Sequence, residues 1–173
     1  MRRLQLTAVA AILLAFLAGD ADAQKKSARK SPAKTSSSVV PPLEVRAARE
    51  KVDIQLSNVN SFVNTLGNIA AGLETADADA KAGNLKPATA DKIKAKEAEL
   101  VEAIRNIRTA LGNLESEFRT KPALQKYLTH IQGITDLTAQ SEDLALAGKF
   151  VAAKDPLRDV TAKLTDTLTV MPR

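Results

Sequence analysis

Cysteine and tryptophan are absent from the 173 residues, and histidine occurs once. Without cysteine there is no disulfide framework, no thiolate zinc or iron–sulfur site, no haem held through C-x-x-C-H, no cysteine nucleophile and no lipoprotein anchor. A lone histidine, His130, excludes the common metal sites built from several imidazoles. Aromatic residues are 3% of the chain, namely Phe16, Phe62, Phe118, Phe150 and Tyr127. Phosphate-loop, dinucleotide, nucleophile-elbow and zinc-protease motifs are missing. Runs rich in β-branched residues and Asn-Gly or Asp-Gly turns are missing too, so nothing in the sequence argues for strands.

What is present begins with an address. Met1-Arg2-Arg3 is a short positive start, Leu4–Ala18 is apolar except for Gln5 and Thr7, and Ala21-Asp22-Ala23 offers small-x-small before Gln24. That order predicts a signal peptide over residues 1–23. The apolar stretch falls short of the roughly 20 residues that span a bilayer, so the cleaved product is not expected to be membrane-spanning.

The net charge of +5 is carried by one segment. Residues 24–40, QKKSARKSPAKTSSSVV, hold Lys25, Lys26, Arg29, Lys30 and Lys34 and no acid. From Pro41 onward there are eighteen basic and eighteen acidic residues, so that part is formally neutral. The segment is too polar to bury enough surface to offset its chain entropy, and residues 24–42 are expected to form a disordered Lys/Ser/Ala/Pro linker. Its five cations suit an electrostatic tether to an anionic polymer or membrane face. Specific nucleic-acid binding is not expected, since no aromatic side chain is interleaved for stacking.

After Pro42 the apolar residues take a 3-4 spacing. Val45, Val52, Val59, Leu66 and Leu73 recur every seven residues, with Leu56, Val63 and Ala70 between them. Ile93, Leu100, Ile104, Ile107, Leu111, Leu114 and Phe118 repeat the pattern. A third segment, Leu124 to Leu144, and a fourth, Phe150 to Met171, follow. Such seams predict helices that pack lengthwise on partners. The first should run from about Leu43 to Ala80 and the second from about Leu85 to Arg119, ending before Pro122. Asp155-Pro156 reads as an N-cap and first-turn pair, or else as a kink.

Ala82-Gly83-Asn84-Leu85 and Ala147-Gly148-Lys149-Phe150 lie 65 residues apart, each between two such segments. Each reads as a tight turn with a left-handed glycine. Two tandem helical hairpins over residues 43–171 then give an all-α, antiparallel up-down-up-down four-helix bundle. The first pair is longer, which predicts that its hairpin projects about ten residues, or ~15 Å, beyond the second. The projecting stretch, Glu74–Lys96, holds only Leu85 and Ile93 as large apolar residues. Gly67, Gly72, Gly112 and Gly133 fall inside the predicted helices, where close approach of neighbouring helices would explain them.

Glu97, Glu99, Glu102, Glu115 and Glu117 interleave with Lys94, Lys96, Arg105 and Arg108, the pattern of a solvated helix face rather than of acid–base chemistry. A di-iron Glu-x-x-His pair is excluded because Tyr127 stands three residues before His130. His130 lies 18 residues before Gly148 and Met171 lies 23 after it. In an antiparallel hairpin that offset of five residues is about 7.5 Å, close enough for a His/Met haem ligand pair.

In length, in hairpin order and in Gly148-Lys149 followed by Ala153, the mature segment resembles the soluble periplasmic cytochrome b family. The resemblance implies an exported four-helix bundle holding haem non-covalently through a Met early in helix one and a His late in helix four. Leu43–Leu56 has no Met and Leu164–Arg173 has no His, so the ligands of that family are not carried over. The expectation is an exported, periplasmic or secreted, non-catalytic bundle without a cofactor. It would bind an envelope or extracellular protein or an anionic polymer. The alternative is a small haem binder or electron carrier using His130 and Met171.

Overall fold

The computed structural model describes residues 41–173. The predicted signal peptide and the tether residues Lys25, Lys26, Arg29, Lys30 and Lys34 lie outside the described residues. Within them the chain is helical, without strands. Helix α1 is Leu43–Lys81 and α2 is Pro87–Thr120, with Pro87 in the first turn, where its missing N–H costs nothing. A 3-10 turn, Gln125–Tyr127, leads into the short α3, Leu128–Ile131, and then come α4, Ile134–Leu146, and α5, Phe150–Val170.

The apolar seams are the core. Val45, Val52, Val59, Leu66 and Ala70 of α1 are buried together with Ile104, Leu111, Leu114 and Phe118 of α2. Leu124, Tyr127, Ile131 and Ile134 join them, as do Phe150, Leu157, Val160, Leu164 and Met171. Packing pairs α1 with α5, α5 with α4, α4 with α2 and α2 with α1. Gly83 and Gly148 have φ of 76° and 72°. In both turns the N–H after the glycine reaches back five residues, Asn84 N to Asp79 O at 3.0 Å and Lys149 N to Leu144 O at 2.9 Å. That satisfies carbonyls at the helix end which otherwise lack a donor.

Two expectations fail locally. The third segment is not one helix, because Gly133 takes φ 87° at the start of α4 rather than lying inside a helix. An apolar 3-4 spacing continues across a left-handed residue when both flanking pieces face the same core, so spacing alone could not reveal the break. Asp155-Pro156 is not an N-cap either: α5 begins at Phe150 and Pro156 lies inside it, buried. A proline there disrupts the preceding turn. The buried Ser141 hydroxyl of α4 donates to Ala153 O at 2.8 Å in that turn.

Neither Gly133 nor Lys149 offers a side-chain cap to its own helix. Glutamates from other helices do so instead. Glu74 of α1 accepts the Val151 N–H at 2.7 Å, at the start of α5. Glu115 of α2 accepts the N–H groups of Gly133 at 3.0 Å and Thr135 at 3.2 Å, and the Thr135 hydroxyl at 2.8 Å. At the other end of α5, the Arg49 guanidinium of α1 donates to the carbonyls of Leu168 and, at 2.7 Å, Met171. Cations are favourable at a helix C-terminus and carboxylates at an N-terminus.

These contacts set the level at which the α4–α5 turn meets α1. A Cβ on Gly148 would lie 3.7 Å from Asp77 Oδ2. Past Asp77 the α1 arm continues only through Ala78–Lys81, one helical turn, about 6 Å. The projection on that arm is therefore shorter than the ten residues expected from segment lengths. Lengths alone omit the register that Glu74 and Asp77 impose. From residue 71 to residue 103 no residue is fully buried, although Leu73, Leu100 and Val101 pack partly against the core.

Candidate functional site

A cleft of about 570 Å³ lies where the α1–α2 hairpin meets the α4–α5 turn. The last turns of α1 contribute Asp77 and Lys81, and α2 contributes Lys94, Glu97, Glu102 and Arg105. Residues 145–148 close one side, held in place by the left-handed Gly148. Ala98, Val101 and Leu146 give it apolar wall, and Leu146 is 61% exposed.

Most charges in the cleft are already paired. Lys81 Nζ sits 2.6 Å from Asp77 Oδ2, and this partner holds the lysine above its ordinary pKa. Arg105 donates to Glu102 Oε2 at 2.8 Å and to Glu142 Oε1 at 3.0 Å. Glu97 differs: its Oε1 is buried and, among the described residues, has no hydrogen-bond partner. Burial, and then the Asp77 charge, push the Glu97 carboxyl above its ordinary pKa. The orphaned oxygen is an acceptor waiting for a donor.

The five carboxylates read as a solvated face divide into different roles. Glu99 is exposed and pairs with Lys96. Glu117 pairs with Lys51 of α1 and with Lys121, and these partners lower its pKa. Glu115 is buried. Burial alone would raise its pKa, but Arg119, the N–H groups of Gly133 and Thr135 and the Thr135 hydroxyl hold it down to about 2. Glu142 of α4, not singled out from sequence, is buried between Arg105 and Arg108. Arg108 Nη1 lies 2.7 Å from Glu142 Oε2 but outside hydrogen-bond geometry, so that contact is Coulombic.

A signal for these residues was present in the sequence. Glu115 falls on the 3-4 spacing between Leu111 and Phe118, and Glu97 falls between Ile93 and Leu100. A carboxylate inside the stripe faces the interior, unlike one beside it.

The two proposed haem ligands take separate roles. His130 is part-exposed, its Nδ1 2.6 Å from Asp166 Oδ2 of α5. Met171 is buried, while its backbone carbonyl binds Arg49. Neither residue lines the cleft. Among the described residues no group of three or more His, Cys, Asp or Glu is placed to hold a metal ion. No helix among them is long and apolar enough to cross a membrane.

No family model, curated protein or solved structure matches this chain. The chemistry of the site therefore rests on its own geometry. A second groove, of about 560 Å³, runs along the hairpin between Ile69, Leu73, Ala76 and Leu100, with Lys96 and Glu99 at its rim. It contains no orphaned polar atom.

Proposed function

We propose that the chain is an exported, non-catalytic binding protein. Its residues 43–171 form an antiparallel up-down-up-down four-helix bundle that presents the end of the α1–α2 hairpin to an envelope or extracellular partner. Support for the bundle comes from the ring of helix pairs and from its cross-links: Arg49 early in α1 meets the end of α5, while Glu74 late in α1 meets its beginning. Lys51 early in α1 and Glu117 late in α2 are likewise paired.

The observation that carries the functional reading is the stretch from residue 78 to residue 96, which lies past the contact of Asp77 with the α4–α5 turn and has no fully buried residue on either arm. Helices this exposed gain little from packing, and a partner is what their unburied faces would serve. Replacing residues 80–92 by a short glycine-rich link should abolish co-sedimentation with the envelope fraction of the producing cell, in salt high enough to screen the basic tail, and leave the melting temperature unchanged. Retained co-sedimentation overturns this reading.

Residues 24–40 add a salt-sensitive attraction to anionic surfaces. Deleting them should lower the salt needed for elution from an anionic resin; unchanged elution removes the tether. Export predicts a mature N-terminus at Gln24, measurable by mass spectrometry.

A further inference from the structure

We propose that the cleft between the α1–α2 hairpin and the α4–α5 turn binds a small organic ammonium ion with an apolar body. The cleft's volume, about 570 Å³, falls in the range of small-molecule pockets. Its polar groups are accounted for one by one. Lys81 is taken by Asp77, and Arg105 by Glu102 and Glu142. Glu97 Oε1 remains buried without a donor.

A carboxylate oxygen left in that state is costly, and the donor that relieves it best is a charged N–H. Asp77 raises the cost of Glu97's charge, while Lys81 and Lys94 lower it. Lys94 lines the same cleft and makes no ion pair among the described residues. The cleft is therefore near neutral overall, and selection rests on the Glu97 hydrogen bond rather than on bulk charge. A bare metal ion would need more oxygen ligands than the described residues bring together. Ala98, Val101 and the exposed Leu146 form a surface for hydrocarbon. This inference does not depend on contact by the hairpin end: a bundle whose tip binds nothing would still possess the cleft.

The test is a two-dimensional amide NMR titration of the protein with hexylammonium, hexanoate and hexanol. Amide signals of Ala98, Ala145, Ala147 and Gly148 should move saturably with hexylammonium, and hexanoate should bind at least about tenfold more weakly. Glu97→Gln should weaken hexylammonium about tenfold and leave the hexanol response unchanged. Leu146→Ser, at an exposed position, should weaken hexylammonium and hexanol alike. An absence of saturable shifts would mean that water satisfies Glu97, and the proposal would fall. It falls equally if hexanoate matches hexylammonium or if Glu97→Gln binds like the parent. If Glu97→Gln alters the circular dichroism, the hexylammonium–hexanoate contrast on the unaltered protein decides.

Discussion

Replacing Glu115 by glutamine should cost about 2 kcal/mol at neutral pH, and the cost should vanish in acid. The carboxylate is held at a pKa of about 2, against an ordinary 4.5. At about 1.4 kcal/mol per pH unit, that difference sets a ceiling of about 3 kcal/mol. The Arg119 partner is 59% exposed, so solvent screens its share, which leaves about 2 kcal/mol. The folded-state pKa is depressed, so the stabilisation is complete above about 4.5 and is lost as pH falls toward 2. By pH 2.5 about a quarter of it should remain. Glutamine does not titrate. Urea unfolding followed by far-ultraviolet circular dichroism, on both proteins at pH 7, 4.5 and 2.5, measures the gap directly. The other carboxylates titrate in both proteins and cancel in the difference. A gap that stays constant from pH 7 to pH 2.5 would refute the claim that the charge of Glu115 holds the start of α4.

Gly133→Ala should destabilise by about 1–2 kcal/mol from backbone strain alone, since an added Cβ there meets nothing within 4 Å. Gly112→Ala is its counterpart: Thr135 would sit at an ordinary 3.7 Å, so the change should be neutral or stabilise by up to about 1 kcal/mol. Equilibrium unfolding reads both. Glu74→Ala should cost about 1 kcal/mol, and amide exchange should quicken at Val151, whose N–H it caps. Ile104→Ala, in the core, should cost about 2–5 kcal/mol, whereas Ile93→Ala on the hairpin arm should cost well under about 2 kcal/mol. Equal losses at the two sites would contradict the exposed hairpin end.

Much of the helical layout was legible in the order of residues. The heptad recurrence of Val45, Val52, Val59 and Leu66 marked the buried face of α1, because a helix places such residues on one stripe. Gly83 and Gly148 marked the turns, because a left-handed residue there costs glycine nothing sterically. The site was less legible. Glu97 and Glu115 sit in charged surroundings, and only their place on the apolar stripe set them apart from Glu99 and Glu102. His130 and Met171 had a suggestive axial offset, but an offset says nothing of direction around the helix. One ring faces Asp166, and the other side chain is in the core.

The residue order by itself determined the all-helical class, the faces that turn inward and the two glycine turns, since each depends on neighbours within about two helical turns. Tertiary structure alone decided the break at Gly133, the placement of Pro156 within α5, the register of the α4–α5 turn against α1 and the cleft with its unpartnered oxygen. The physical reason is that the deciding partners are distant in the chain. Glu115 caps the N–H of Gly133, 18 residues later, and Glu74 caps the N–H of Val151, 77 residues away. No local spacing encodes which donor a carboxylate will meet once the helices pack.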